Sequence, residues 1–274
     1  MTKAVVVATT AYMIAQFNMS DIYRLKKMNY DVVVAANFES PGPISIERLT
    51  QLKDDLNLLS VKFIQINFSR KPFSINNFIA FKQLSAVITN DVKIVHSHTP
   101  IAGAISRLAT MRKKTVRRIY TAHGFHFFKG SSIKNWLTFY PIEKFFSYFT
   151  DDLITINSED FQLAKKSFHA KRLHYVNGVG IDLKKFDADK KKVNLNKKQT
   201  KLKLISIGEL NKNKNHRLVI EAIHQSKFKD CFSYDICGEG TLKEELTQLI
   251  KQYGLENQVR LLGYRDDVHR LLAE

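Results

Sequence analysis

At 274 residues the chain is long enough for two domains of ordinary size, and 44% hydrophobic residues is the composition of a folded globular protein rather than a disordered one. No apolar run approaches the roughly 18 residues that span a bilayer. The formal charge of +17 points toward anionic partners (nucleic acid, anionic lipid or phosphorylated small molecules) without choosing among them.

Lys3 followed by the apolar run 4–15 has the outline of a signal peptide. Thr9, Thr10 and Tyr12 break that run, and a second apolar segment follows at α/β spacing, so Ala4–Ala8 reads as a buried first strand. Further strands are predicted at Asp31–Ala36, Val61–Ile66, Lys93–His96, Arg118–Thr121, Leu153–Ile156 and His174–Val176. Helical patterns fall between them at Ser74–Asn90, Ile101–Met111 and Ser158–Phe168, the last with Asn157 as N-cap. Such alternation is the signature of βαβ units and parallel sheets. The pattern dissolves over 183–203, a lysine-dense stretch that reads as a linker between a first domain, 1–182, and a partial second one, 204–274. There, strand Leu204–Ile207 leads to a helix from about Asn215, and strand Ser233–Ile236 leads to another. Thr241 and Glu244 fit a capping box for that helix. Leu242, Leu246, Leu249, Ile250 and Tyr253 give its apolar face and Gly254 its stop. A third strand spans Gln258–Leu262. The expected class is α/β, two Rossmann-like domains facing a cleft, the second incomplete, with ligands outside the carboxyl ends of the strands.

Three strand exits in the second half suit a nucleotide. Gly208-Glu209 through Lys214 forms a turn into a helix, where unpaired N–H groups, the helix dipole and a lysine make an anion cradle. Gly238-Glu-Gly240 allows close backbone approach, and Gly263-Tyr264-Arg265 adds an aromatic face. In the first half, His96, His98, His123 and His126 cluster at two strand exits, where imidazole can orient hydroxyls or move a proton. The His96/His98 alternation also suits a metal, but no acidic or cysteine ligand sits at supportive spacing, so none is expected. Asp187-Ala-Asp189 reads as solvated charge in the linker, and the aspartate pairs at 54–55, 151–152 and 266–267 as turn or helix-start residues. The aromatic stretch 136–149, interrupted by Pro141, reads as core packing, with an anionic membrane surface as the sharper alternative. Cys231 and Cys237 are too few for a disulfide framework and favour a reducing cytoplasm.

The runs Tyr120 to Gly130, Asn135-Trp136, Tyr140 to Lys144, Ile154 to Asp160, Val176 to Asp182, Gly208 to His216 and Cys237 to Gly240 together resemble the retaining, family-4-type glycosyltransferases of bacterial capsular and exopolysaccharide assembly, which have the GT-B fold. The resemblance implies transfer of a sugar from a nucleotide-diphosphate donor, with no metal or cofactor, to a lipid-linked saccharide at the inner membrane face. It implies a donor site on the second domain, with Lys214 on the diphosphate and Gly263–Arg265 near the base, and His123 against the transferred sugar. His96, His98 and His126 then belong to the acceptor side. Two departures stand out: Glu209 takes the place where many relatives carry arginine, and the family continues past Glu274 with a glutamate pair that grips the donor. The resemblance therefore implies a truncated chain whose first strand in the second sheet is left as an edge. The competing class is a non-catalytic acceptor- or partner-binding module. A nucleic-acid role finds no zinc-finger, RNA-reading or helix-turn-helix signature.

Overall fold

The structure, a computed structural model, describes residues 2–181, 183, 201–265 and 267–272. The chain divides into two compact units, Met1–Gly180 and Ile181–Glu274. Most of the predicted 183–203 linker, together with Asp187-Ala-Asp189 and Asp266, lies outside the described residues.

Unit 1 is built on seven parallel strands: β1 (Lys3–Thr10), β2 (Asp31–Asn37), β3 (Lys62–Gln65), β4 (Val92–His98), β5 (Arg117–Ala122), β6 (Asp152–Thr155) and β7 (Arg172–Tyr175). Their order is β3-β2-β1-β4-β5-β6-β7. Each is one of the predicted strands, with ends shifted by one or two residues. β1 is buried almost throughout because both of its faces are covered. Val5 and Val7 point to a layer made by α4 (Ile75–Val87) and α5 (Pro100–Thr110), through Ala80, Leu84, Ala102 and Ile105. Val6 and Ala8 point the other way, to Ile22 on α2 (Met19–Lys27) and Leu52 and Leu56 on α3 (Ile46–Leu58). Between β1 and α2 the chain passes through α1 (Ala11–Met13) and a π-helical turn, Ile14–Asn18. Ser45, Ser74 and Asn157 cap α3, α4 and α7 (Ser158–Ser167), each accepting from a first-turn N–H.

α6 (Ile133–Ser147) runs continuously through Pro141, which does not interrupt it. The proline is exposed, so the carbonyl it frees one turn earlier faces water. Trp136, Phe139 and Tyr140 pack into a core with Phe125 and Phe127, which is the core reading of this aromatic stretch. Beneath them lies a buried ion pair. Arg107 on α5 donates from Nη2 to Glu143 Oε2 at 2.8 Å, and Tyr120 Oη donates to Glu143 Oε1 at 2.8 Å. The guanidinium lies 4.2 Å from the Tyr120 ring. Gly103 is required here, since a Cβ would stand 2.7 Å from Tyr120. Asp151 and Asp152 are not the turn residues predicted: both are buried at the start of β6. Asp151 binds Arg118 and Lys171, and Asp152 binds Arg117, Arg172 and His174, so part of the basic cluster at 112–118 is neutralised.

Unit 2 contains β8 (Leu202–Ile207), β9 (Phe232–Cys237) and β10 (Val259–Gly263), parallel in the order β10-β9-β8. α8 (His216–Gln225) and α9 (Lys243–Gln252) cover one face through Ile220, Ile223, Leu246, Leu249 and Ile250, and α10 (Val268–Leu271) follows. Among the described residues β8 is an edge, and Leu202 and Ile207 are exposed on it. Gly254 ends α9 with φ +62°, as predicted. The predicted capping box does not form: α9 starts at Lys243 with no side-chain cap. The Leu242 N–H donates instead to Leu210 O at 3.1 Å. Cys231 and Cys237 are both free thiols.

Removing one partner of the buried pair strands the other charge. Glu143→Ala is expected to destabilise unit 1 by about 3–5 kcal/mol in urea unfolding. Arg217→Ala, at an exposed pair, is expected to change stability by less than about 1 kcal/mol.

Candidate active site

In the sheet of unit 1 the connections reverse direction between β1 and β4, so their carboxyl ends form the topological switch point where α/β sheets bind ligands. There Thr99 holds φ +71°, a strained conformation for a β-branched residue. It is tied to β1, accepting from the Thr9 N–H at 3.2 Å and sharing a 2.6 Å hydroxyl contact with Thr9. Pro100 opens α5 directly after it.

Parallel pairing of β4 with β5 sets His96 opposite Ile119 and His98 opposite Thr121. His96 and His98 are two residues apart and share one sheet face, their rings tilted by 38° with centroids 4.2 Å apart. His96 Nε2 meets Thr121 Oγ1 at 2.9 Å. Just past the end of β5, His123 Nε2 lies 3.1 Å from His98 Nδ1, and its other face is covered by Phe17 from the π-helical turn. His98 Nε2 lies 3.8 Å from Asp21 Oδ2. At that distance the two are not hydrogen-bonded, and His98 Nε2 is buried without a hydrogen-bond partner among the described residues. Either of His98 Nδ1 and His123 Nε2 can donate to the other, according to tautomer.

Burial, reinforced by the neighbouring imidazole of His123, lowers His96 to about 4; burial likewise holds His98 well below the ordinary imidazole value and lowers His123. The cluster is therefore neutral at pH 7. Burial also raises the Asp21 carboxyl, against the opposing pull of Arg24. Asp21, His96 and His98 present ligand atoms all within 4.8 Å of one another, close enough to share an ion. Sequence spacing offered no acidic partner for the histidines, because Asp21 arrives from α2 through the topology.

Unit 2 carries the second set of predicted residues. The turn after β8 is shaped by glycines on its neighbours. A Cβ on Gly238, at φ +155°, would stand 1.9 Å from Gly208 O, and one on Gly240 would stand 2.4 Å from Leu210 O. These close approaches let the Leu210 N–H reach Glu239 O at 3.0 Å and the Gly208 N–H reach Cys237 O at 2.9 Å. The Lys214 stem lies along Gly208, where a Cβ would be 3.2 Å from its Cε. Lys214 is exposed and pairs with no acidic group among the described residues. The Glu209 carboxylate is turned to Asn211, accepting from its Nδ2 at 3.0 Å. Asn215 enters α8 in the left-handed region without a side-chain cap.

The Gly263–Arg265 turn adjoins the turns at Gly208 and Gly238, since Gly263 O accepts from the Gly238 N–H at 2.7 Å. His126 lies against Phe139 of α6, 4.6 Å between centroids with the rings tilted by 33°. Arg265 forms a two-pronged pair with Asp267, at 2.8 and 2.6 Å. Gly263 takes φ +70°, and Tyr264 is exposed beside it. Sequence reasoning missed Asp21, Phe17 and the Thr9–Thr99 link.

Unfolded imidazoles protonate near pH 6.5 and these do so lower, so below that value the unfolded chain binds more protons. Stability contributed by the cluster is present above about pH 6.5 and is lost as pH falls toward 4. The loss attributable to His96 is on the order of 3 kcal/mol. Urea unfolding at pH 4.5 and 7 checks this, and His96→Gln is expected to flatten the difference.

A glycosyl transferase 4-like family model matches residues 11–157, and a glycosyl transferases group 1 model matches residues 187–274. The assigned glycosyltransferase EpsD of Bacillus subtilis (strain 168) is 33% identical over 284 residues, covering 99% of this chain and 71% of EpsD. The Escherichia coli UDP-Gal:alpha-D-GlcNAc-diphosphoundecaprenol alpha-1,3-galactosyltransferase is 28% identical over 192 residues, 65% of this chain and 49% of that protein. Anabaena HepE, crystallised with UDP and glucose, superimposes with a TM-score of 0.71 at 14% identity, covering 98% of this chain and 71% of HepE, which shows a shared GT-B fold. With two family models and a relative of this identity and coverage in agreement, the chain belongs to the glycosyl transferase 4-like family of glycosyltransferases.

Proposed function

We propose that the chain transfers a sugar from a uridine diphosphate donor to a lipid-linked saccharide in cell-surface polysaccharide assembly, with retention at the anomeric carbon and without a metal. The observation that carries this reading is the Gly208–His216 turn, where an exposed lysine without an acidic partner among the described residues stands beside an uncapped helix start. The UDP named in the HepE complex and the diphosphoundecaprenol named for the Escherichia coli enzyme support the donor and acceptor classes. In the reaction the bond from the anomeric carbon to the β-phosphate oxygen breaks, and its electron pair leaves with UDP. The acceptor hydroxyl oxygen bonds to that carbon on the same face, and its proton passes to the departing phosphate. Lys214 and the α8 N–H groups stabilise the charge that grows on the diphosphate. His123, kept neutral by burial, orients a hydroxyl of the transferred sugar.

On this reading Lys214→Ala lowers kcat/KM by about two to three orders of magnitude, as loss of one charge-stabilising group does elsewhere. His123→Ala lowers kcat while nucleotide affinity is kept, and EDTA leaves the rate unchanged. Unimpaired transfer by Lys214→Ala contradicts the donor assignment. Loss in EDTA with recovery on adding a divalent cation shifts the reading to a metal at Asp21, His96 and His98.

Peripheral contact with the inner membrane face is part of the proposal. In the aromatic stretch 136–149, Trp136, Phe139 and Tyr140 are committed to core, while Phe145 and Tyr148 are exposed. The start of α4 is a better surface: Phe73 is 87% exposed and Ile75 73%, with Phe78 beside them and Arg70, Lys71 and Lys82 around them. No acidic residue occurs between Asp55 and Asp91. Burying two such side chains in a bilayer interface is worth a few kcal/mol, about 1.5–3 each. The double variant Phe73→Asp/Ile75→Asp is thus expected to lose at least tenfold in co-sedimentation with phosphatidylglycerol vesicles. Leu137→Asp, on the exposed side of α6, is expected to bind like the parent; the reverse ranking returns the contact to α6.

A further inference from the structure

A cavity of about 420 Å³ lies at the carboxyl ends of β1 and β2 in unit 1, and none of its lining residues is acidic. Thr10, Ser40, Ser69 and Asn76 offer it hydroxyl and amide groups, and Arg70 offers it a guanidinium. Arg70 has no hydrogen-bond acceptor and no acidic partner among the described residues. Its place is built in. Gly42 holds φ +90°, and a Cβ there would stand 2.9 Å from Arg70 Nη2 and 3.3 Å from Thr10 Oγ1, so the glycine leaves room for the guanidinium.

Two buried asparagines fix the walls. Asn37 Oδ1 accepts from the Ser40 N–H at 2.8 Å and the Glu39 N–H at 3.1 Å, while its Nδ2 donates to Phe68 O at 2.9 Å. Asn77 on α4 grips the loop that carries Arg70: its Nδ2 donates to Lys71 O at 2.8 Å and Pro72 O at 3.1 Å, and its Oδ1 accepts from the Ser69 N–H at 2.9 Å. These bonds hold the loop from both sides. The loop they hold thus presents an unpaired, exposed cation over a polar cavity at the start of a thirteen-residue helix.

We propose that this cavity binds the diphosphate of the lipid-linked acceptor, with Arg70 as its principal contact. A guanidinium fork and a set of hydroxyl donors match phosphate oxygens, and the absence of acidic lining removes repulsion. The apolar side chains that follow Arg70 in the chain, Phe73 and Ile75, make a lipid-borne diphosphate a better match than a free one. The assignment rests on the lipid-linked acceptor reading and deepens it.

The test is isothermal titration of the full chain with inorganic pyrophosphate and farnesyl diphosphate in a Lys214→Ala background, which removes the donor turn's own diphosphate contact, and with UDP where Lys214 is intact, each in the parent, in Arg70→Ala and in the charge-matched surface variant Lys27→Ala. Saturable binding of both diphosphates is expected, tighter for the farnesyl ester. Arg70→Ala should weaken both at least tenfold, Lys27→Ala neither, and UDP should bind all three proteins alike. Undiminished binding by Arg70→Ala, equal weakening by Lys27→Ala, or no saturable diphosphate binding overturns the proposal. Arg70 dependence seen with phosphatidylglycerol vesicles and not with farnesyl diphosphate makes the site one for bulk lipid phosphate and overturns it too. Failure of UDP to bind any of the three counts against the donor reading and leaves the Arg70 result to stand by itself.

Discussion

β4 and β5 run parallel with His98 opposite Thr121, and the histidine cluster depends on that register. A slip of one residue would turn His96 and His98 to the other sheet face and separate them from Thr121 and His123. The register is held from below by burial. Tyr120 on β5 shares Glu143 with Arg107, so strand β5, helix α5 and helix α6 are joined through one carboxylate. Gly103 lets α5 lie close enough for the ring to fit. Because both charges are sealed from water, the pair resists any rearrangement that would leave one of them alone.

The histidine cluster and the turn after β8 differ in charge. The cluster in unit 1 presents imidazoles that burial keeps neutral, suited to hydrogen-bonding uncharged hydroxyls. Unit 2 presents an ammonium and a helix start, suited to an anion. Four of the basic residues, Arg117, Arg118, Lys171 and Arg172, are instead committed to two buried aspartates at the amino ends of β5 to β7.

The strands of both sheets were legible because buried parallel strands are continuous runs of β-branched residues. The glycines at 238 and 240 were legible as sites of close approach, and the structure supplies the atoms approached, Gly208 O and Leu210 O. Leu210 O also takes the Leu242 N–H just ahead of α9, which starts at Lys243 without the predicted capping box. Asp21 could not be found beside His96 and His98 by spacing, since more than seventy residues of chain separate them and only strand order brings them together. Asp151 and Asp152 looked like turn residues because local pattern does not show that four basic side chains converge on them. The GT-B family was legible from motifs such as Tyr120 to Gly130 and Gly208 to His216, and the family models and EpsD agree with it.

The claim most in need of a direct test is that the turn after β8 holds the donor's diphosphate. Amide chemical shifts of the full chain can be followed by NMR while UDP is added. The account predicts saturable shifts at Gly208, Leu210, Lys214 and His216, abolished by Lys214→Ala. Shifts confined to other residues, or shifts there that survive loss of the lysine, would contradict it.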